Sequence, residues 1–242
     1  MLNNSRPLDP HERSKALLGE AALHILAKSH VLVVGLGGVG SFALEALARG
    51  GIGRLTLVDA DIISASNLNR QLFALWPTLG RYKTDLARER TLAINPTCQV
   101  TCYPQRVTSE NAADFLAAKP DWLVDAIDDL PAKGALLAAA QSLGVASISV
   151  LGTGNRTNPQ AGFTVADISE THTCPLARSL RRQLRLRGID SGLLVVYSPL
   201  PPEALHCVAT TPGVPRTIGS VSYIPGQAGL IAAGEVLRRL SR

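Results

Sequence analysis

Short apolar runs recur along the first 150 positions without the polar alternation of a half-exposed strand. Buried strands are predicted near 30–34, 54–59, 99–103, 122–127 and 146–151. Helical spacing of apolar residues predicts helices near 12–27, 38–50, 80–94, 109–118 and 130–143. This alternation predicts an α/β fold, in which a doubly wound, Rossmann-like and mostly parallel sheet is covered on both faces and the first helix lies against the first strand.

The pattern changes after Gly152, where turn-forming residues become frequent. Further strands are predicted near 163–168, 193–198 and 220–224, and we expect them to add an antiparallel C-terminal extension to the sheet. Two more helices are predicted over 175–187 and 226–240. With 242 residues, of which 46% are hydrophobic, the chain can bury one full core, so we predict a single domain over 1–242.

A glycine-rich turn follows the first predicted strand and opens a helix, in the sequence GLGGVG. Such a turn lets backbone N–H groups approach phosphate with no Cβ in the way, and the helix dipole favours the anion. Tight packing alone seldom requires four glycines within six positions. We therefore predict that a nucleotide binds at Gly35, Gly37, Gly38 and Gly40.

The residues after the second predicted strand distinguish ATP from a dinucleotide. Asp59 ends that strand, where an acid can accept hydrogen bonds from a ribose diol, and Asp61 either shares this role or orients the loop. Asn67, Arg70 and Lys83 then add donors and positive charge. A triphosphate needs such neutralisation more than a pyrophosphate does, so the ordered set predicts ATP.

Five motifs together resemble the adenylating superfamily of ThiF, MoeB, HesA and the ubiquitin-activating enzymes. They are GLGGVG, LVDAD, SNLNRQ, GRYK and VDAIDD, and the similarity runs from about Arg13 to Asp129. Beyond them, the segments 165–178, 195–199 and 219–225 resemble one branch, the tRNA threonylcarbamoyladenosine dehydratases. The resemblance implies ATP-dependent activation of a carboxylate as its acyl-adenylate, with ATP and Mg²⁺ as cofactors.

In the dehydratase branch, the carboxylate belongs to N6-threonylcarbamoyladenosine in tRNA, and the modification's own carbamoyl oxygen displaces AMP. The resemblance therefore implies tRNA carrying this nucleoside as partner. It also implies an ATP-binding half over 1–152 and a substrate, tRNA and C-terminal half over 153–242. The wider superfamily leaves a sulfur-transfer partner protein open.

The resemblance also assigns roles to charged residues. Arg70 and Lys83 match a phosphate clamp, and Asp128, just past a predicted strand, matches the aspartate that helps to hold magnesium. Asp125 and Asp129 are neighbouring alternatives for the same role.

Arg13 matches an arginine that reaches the phosphates of the partner subunit, which implies a homodimer. The predicted first helix also carries an apolar stripe to bury, formed by Leu17, Leu18, Ala21, Ala22 and Ile25. The implied catalytic set is Arg13, Arg70, Lys83 and Asp128.

The four cysteines contain no CxxC pair, so neither a zinc site nor a disulfide framework is predicted. This absence favours the dehydratase branch over MoeB-like members, which often carry two such pairs. Cys174, before Pro175, invites a thioester role by analogy with the ubiquitin-activating branch, with His172 as base. The favoured interpretation of Cys174 is a small buried hydrophobic residue, and that of His172 is a polar loop residue.

Arginines are concentrated in the helix predicted over 175–187. No acid lies between Glu170 and Asp190, and the inward stripe of leucines leaves most of the arginines on one outer face. The net charge of +5 also suits an anionic partner. A solvated face and a tRNA-binding surface remain equal alternatives, and the candidate residues for the latter are Arg178, Arg181, Arg182 and Arg185.

Targeting signals and membrane spans are not predicted. The first ten residues lack the apolar core of a secretory signal, so we expect a cytoplasmic protein. The uncharged run 217–234 contains Pro225, Gln227 and several glycines, which predicts buried structure and no stable membrane insertion.

Three alternative functions compete with the dehydratase interpretation. An adenylyltransferase for the C-terminal glycine of a small sulfur-carrier protein would share the first half, but the missing zinc cysteines and the arginine-rich helix disfavour it. An NAD-dependent oxidoreductase would leave Arg70 and Lys83 without a phosphate to bind. A nucleotide-binding scaffold without catalysis would not need the retained charged set.

Overall fold

The computed structural model describes residues 9–160, 162–204 and 218–242. The α-helices of this part of the chain are α1 (Glu12–Leu18), α2 (Glu20–Lys28), α3 (Gly40–Arg49), α4 (Lys83–Ile94), α5 (Leu130–Ser142), α6 (Pro175–Arg185) and α7 (Tyr223–Leu240). Its strands are β1 (His30–Val34), β2 (Arg54–Val58), β3 (Gln99–Tyr103), β4 (Trp122–Asp125), β5 (Ala146–Val150), β6 (Thr164–Asp167) and β7 (Leu194–Tyr197).

These strands form one sheet in the order β3-β2-β1-β4-β5-β7-β6. Its central strand β1 pairs in parallel with β2 on one side and β4 on the other. Val31 and Val33 of β1 enter the core shared with α2, α3, α4 and α7, whereas Leu32 and Val34 enter the core shared with α5 and α6. The predicted doubly wound, mostly parallel sheet with both faces covered is therefore confirmed.

The antiparallel part is smaller than the sequence predicts. β7 runs parallel to β5, and only the edge strand β6 runs antiparallel to β7. The strand predicted over 220–224 is wrong, because α7 begins at Tyr223. β-branched residues favour a strand there, but Pro225 is well tolerated in the first turn of a helix and Ile224 is buried by it.

Two predicted helices also differ from the structure. The helix predicted over 109–118 is a series of turns with a short 3₁₀ segment, Asp114–Leu116. The Asn111 side chain accepts from Thr108 N at 2.7 Å and donates to Arg106 O, and such local bonds compete with a helix. The helix predicted over 12–27 is interrupted at Gly19, whose φ of 85° is incompatible with it.

The expected packing of the first helix against β1 holds only for its second part. Ala22 and Leu26 of α2 are buried, whereas no residue of α1 is. Leu17 is 84% exposed and Ile25 is 45% exposed, so the predicted apolar stripe stays largely uncovered within one chain.

The apolar C-terminal segment covers the sheet as α7. A side chain at Gly229 would collide with the carbonyl oxygen of Val39, so α7 crosses α3 at close range. Within 9–160, 162–204 and 218–242, none of the helices combines the length and hydropathy needed to cross a bilayer.

Candidate active site

A cavity of about 610 Å³ opens at the carboxyl ends of β1, β2, β4 and β5. Chain order reverses between β1 and β4, and doubly wound sheets bind ligands at this position. Residues 152–156 and 174–176 line the other side, so both halves of the chain contribute. The predicted site residues that line it are Gly35, Gly37, Gly38, Asp59, Asp61, Asn67, Arg70, Lys83 and Asp128.

The glycines of the GLGGVG turn have different structural roles. Gly35 has a φ of 88°, and a Cβ there would lie 2.8 Å from the backbone of Ala126. A Cβ at Gly37 would meet only the Gln71 amide nitrogen, at 3.7 Å, so internal packing does not require this glycine. Gly40 does not line the cavity, and a Cβ there would collide with the carbonyl oxygen of Gly35. Packing against Gly35 therefore requires a glycine at position 40, and the predicted nucleotide contact of Gly40 stays a prediction.

Asp59 joins the ends of β1 and β2. Its carboxylate accepts from Leu36 N at 2.6 Å and from Asp61 N at 2.8 Å, which fixes both the glycine turn and the loop after β2. Burial raises the pKa of Asp59, and the nearby Lys83 ammonium and these two N–H groups oppose that shift. A carboxylate has about four acceptor sites, so Asp59 retains capacity for a ribose.

Lys83 is the first residue of α4 and is buried beside two carboxylates. Its Nζ donates to Asp61 Oδ2 at 2.7 Å and lies 3.7 Å from Asp59 Oδ1. Asp61 is half-exposed and also lies 4.0 Å from Arg106. Asp61 therefore orients cationic groups beside the cavity, which agrees with the loop-orienting alternative for this residue.

The SNLNRQ segment forms the floor beside the glycine turn. The Asn67 side chain accepts from Ser64 N at 3.1 Å, and Arg70 Nη1 donates to Ser66 O at 2.7 Å. No carboxylate within the described ranges forms an ion pair with Arg70. Its positive charge therefore faces the cavity without an acidic partner.

The aspartate that ends β4 and the two that follow it have separate environments. Asp128 is exposed on the cavity rim, and no hydrogen bond or ion pair within the described ranges involves its carboxylate. Asp129 caps α5 by accepting from Ala132 N at 2.9 Å. Asp125 is fully buried and accepts from Lys133 Nζ at 2.6 Å. The alternative magnesium role for Asp125 is therefore wrong, because a buried ion pair occupies it and it does not line the cavity.

The cavity wall also contains polar residues that were not predicted, among them Gln71, Arg106 and Arg156. Gln71 is buried, and its Oε1 has no hydrogen-bond partner within the described ranges. Arg106 is exposed beside Asp61, and Arg156 is buried beside Cys174 on the opposite wall. Gln71 directly follows Arg70 in SNLNRQ, which is a usable sequence signal, whereas Arg106 and Arg156 lie in loops without a motif.

Arg13 lies away from this cavity. α1 begins beside the amino ends of β2 and β3, where the His11 ring would lie 3.2 Å from a Cβ at Gly51. The cavity opens at the carboxyl ends of the same strands. Arg13 is exposed and does not contribute to the cavity of its own chain.

The arginine-rich helix α6 begins at the cavity, since Pro175 and Leu176 line it. Arg181 Nη1 donates to Thr171 O at 2.7 Å and to the Thr171 hydroxyl, and Arg185 forms an exposed ion pair with Asp190 at 3.2 Å. The remaining two candidates, Arg178 and Arg182, are exposed. Their side chains form no ion pair or hydrogen bond in the described ranges.

Cys174 lies at the start of α6, is buried and lines the cavity. The His172 ring packs edge-on against Tyr197 at 5.7 Å, and its Nδ1 bonds the Thr173 hydroxyl. No hydrogen bond joins the His172 ring to the Cys174 thiol. The small buried hydrophobe therefore remains the favoured interpretation of Cys174.

The fold and the cavity define a nucleotide-binding α/β protein. The chain belongs to the ThiF family, whose model matches residues 11–242. The tRNA threonylcarbamoyladenosine dehydratase of Bacillus subtilis is 38% identical over 242 aligned residues, which cover 96% of this chain and 95% of that protein. The crystal structure of the E. coli enzyme of the same name in complex with ATP is similar, with a TM-score of 0.86 and 33% identity over 94% of this chain and 92% of that one.

Adenylyltransferases of the family are similar over less of the chain. A sulfur carrier protein adenylyltransferase of Thermus thermophilus is 37% identical over 139 residues, which cover 57% of this chain and 51% of that protein. The similarity to dehydratases spans both halves of the cavity. The resemblance inferred from the motifs is confirmed.

Gly37→Ala tests the glycine turn as a phosphate cradle. The new methyl group does not clash with the protein, but it keeps a phosphate from reaching the backbone N–H groups of the turn. The affinity for ATP should therefore fall about tenfold or more. Calorimetric titration measures this change. The control is Gly234→Ala in α7, where a Cβ has equally open space far from the motif. Equal ATP affinities of the two variants would contradict the assignment.

Proposed function

We propose that this protein is an ATP-dependent tRNA threonylcarbamoyladenosine dehydratase. It activates the carboxylate of N6-threonylcarbamoyladenosine as an acyl-adenylate and then closes a ring. The observation that carries this proposal is that one cavity has two different sides. One side contains the glycine turn and the cations Arg70 and Lys83, and the other is formed by the loops after β5 and β7. The names of the relatives that match both halves support the same substrate.

The nucleotide half supplies charge for phosphate chemistry. The glycine turn presents backbone N–H groups, while Arg70 and Lys83 add positive charge on one side of the cavity. In the first step, a carboxylate oxygen attacks the α-phosphorus of ATP and pyrophosphate leaves. Stabilisation of the charge that develops on the phosphates is the main requirement of this step.

Magnesium fits the same region. The exposed Asp128 carboxylate is not engaged by another group in the described ranges, and Mg²⁺ is usually held by one or two carboxylates together with substrate phosphates. No cluster of three or more His, Cys, Asp or Glu residues in the described ranges would hold a metal without such phosphates. Asp128 would hold the ion, which supplies charge neutralisation at the phosphates when bound.

The second step needs no enzymic nucleophile. The carbamoyl oxygen attacks the activated carbonyl, AMP leaves with one carboxylate oxygen, and a carbamoyl N–H proton is released as the five-membered ring closes. A nucleophile already held near its target has an effective molarity of ~10⁵ M or more. Positioning in the cavity is therefore sufficient, and Cys174 has no covalent role. Because the substrate is tRNA, we propose the cytoplasm as the site of this reaction.

Mass spectrometry of treated tRNA tests the proposed function. Incubation with ATP and magnesium should convert N6-threonylcarbamoyladenosine to a product lacking one water, with formation of AMP and pyrophosphate. An ATP analogue with a methylene between the α- and β-phosphates should block the reaction, whereas a β,γ-methylene analogue should support it. Unchanged tRNA mass, or a reaction that yields ADP, would contradict the proposal.

A homodimer is part of the proposal. Arg13 lies by the amino ends of the strands, so it cannot serve the cavity of its own chain in this arrangement. Leu17 and Ile25 leave apolar surface on α1 and α2 that a second copy would cover. We infer that each subunit supplies Arg13 to the phosphates bound by its partner.

Complementation between two inactive variants tests this inference. Co-expressed Arg13→Ala and Lys83→Ala chains should regain about a quarter of the parental activity, since half of the dimers are mixed and each mixed dimer contains one intact site. Tandem affinity tags isolate the mixed dimer, and each variant alone is the control. Inactive mixed dimers would show that Arg13 does not act across the interface.

The arginine-rich helix would contact the RNA backbone. α6 leads away from the cavity rim, and Arg178 and Arg182 are its exposed arginines without an acidic partner in the described ranges. A tRNA whose modified base enters the cavity would bring phosphates near this surface. Arg181 instead holds the Thr171 carbonyl, so we assign it a structural role.

The double variant Arg178→Ala/Arg182→Ala should weaken tRNA binding and reduce the log–log salt slope by up to about 1.8, with unchanged ATP affinity. The matched control is Arg54→Ala/Arg88→Ala, which removes the same charge from exposed arginines without ion pairs in the described ranges. Filter binding over a salt series measures both. Identical slopes for the two double variants would make α6 a solvated face.

A further inference from the structure

Arg156 is a buried cation in the wall of the substrate half. It follows β5, lines the cavity and is only 4% exposed. Its Nη1 donates to Ser198 Oγ at 3.1 Å, Leu200 O at 2.7 Å and Pro201 O at 3.3 Å. Its Nε donates to Gly152 O at 3.4 Å. All of these acceptors are neutral.

No carboxylate of the described ranges forms an ion pair with this charge, and the Cys174 thiol and the Glu203 carboxylate act on it only through space. The segments outside those ranges contain neither Asp nor Glu. The Glu203 carboxylate forms no ion pair with Arg156; it instead accepts from Thr157 N at 2.8 Å and from the Thr157 hydroxyl at 2.6 Å. Burial lowers the pKa of Arg156, but a guanidinium stays charged in proteins.

An unpaired buried charge is costly, and proteins normally pair such charges. Arg156 borders a cavity that is open to a ligand, so an anionic group of that ligand is the available partner. The bonds to the chain use Nη1 and Nε, so the Nη2 amino group, with two N–H donors, is left for a carboxylate or a phosphate of the ligand.

The location of Arg156 selects between these two anions. It bridges the loops after β5 and β7, whereas the glycine turn follows β1 and Lys83 lies beside the residues after β2. Strands are about 4.8 Å apart, so β5 lies two strands, on the order of 10 Å, from β1. The nucleotide phosphates already have their own cations, and Arg156 therefore faces the acyl substrate.

We propose that Arg156 binds the threonyl carboxylate of N6-threonylcarbamoyladenosine and holds it for attack on ATP, a role that rests on the proposed function. The side chain makes the cavity select tRNA that carries the acyl group over tRNA that lacks it. Its existing bonds to Ser198 and Leu200 fix the guanidinium before the substrate arrives.

Binding of two tRNAs in the absence of ATP tests this role. One carries N6-threonylcarbamoyladenosine, and the other is the same tRNA with unmodified adenosine at that position. The parent should prefer the first. Arg156→Gln keeps hydrogen-bond donors but removes the charge, so its preference should fall about 10- to 100-fold. Arg54→Gln, at the amino end of β2, is the control with the same charge change.

The outcomes separate the possible roles. Loss of preference in Arg156→Gln, with unchanged ATP affinity, supports carboxylate binding. Equal weakening of both tRNAs would assign Arg156 to an RNA phosphate, and weakened ATP binding would assign it to the nucleotide. Equal weakening of both tRNAs, weakened ATP binding and an unchanged preference would each overturn the proposal.

A parent protein that shows no preference would overturn the role of Arg156, whereas the proposed function fails separately, if treated tRNA does not lose one water. If Arg156→Gln lowers the melting temperature so far that the variant is unfolded in the assay, Arg156→Lys provides the same test. It keeps the charge but cannot keep the bonds that fix the guanidinium against the loops after β5 and β7, so the preference should fall about tenfold. An unchanged preference in that variant contradicts the role of Arg156.

Discussion

The hydrogen bond from Leu36 N to the Asp59 carboxylate holds the nucleotide half of the cavity together. The same carboxylate accepts from Asp61 N and lies near the Lys83 ammonium, so one side chain connects the glycine turn, the end of β2 and the start of α4. Its burial would favour the neutral acid, and the N–H donors and Lys83 oppose that tendency. These contacts fix the glycine turn and the start of α4 relative to each other without a bound ligand.

The opposite side of the cavity depends on a different buried pair. Lys133 Nζ donates to Asp125 Oδ2 and also to Ser149 Oγ and Val150 O, which joins the ends of β4 and β5 beneath the cavity. This network supports the loop that carries Asp128 on the rim. Loops after β5 and β7 complete the wall with Arg156. The proposed chemistry therefore relies on positioning of two substrates between rigid strand ends.

Local patterns predicted the fold and most of the residues that line the cavity at the ends of β1 and β2, because apolar runs, glycines and an acid after β2 each have one dominant physical explanation. They failed where neighbours compete: Asn111 bonds its own loop in place of a helix, and Gly19 interrupts the first helix. The sequence around Asp125 and Asp128 does not show which of them is exposed. In the structure, Asp125 is buried in an ion pair with Lys133, whereas Asp128 lies on the cavity rim. Arg156 belongs to no motif, since its environment forms only when loops distant in sequence meet.

The central claim is that the carboxylate itself attacks the α-phosphorus of ATP. An oxygen-isotope experiment tests it most directly, with tRNA whose threonyl carboxylate contains oxygen-18. Adenylation followed by ring closure leaves one carboxylate oxygen on the phosphate of the released AMP. We therefore expect AMP that carries oxygen-18, together with unlabelled pyrophosphate. Unlabelled AMP, or label found only in water or inorganic phosphate, would contradict the account.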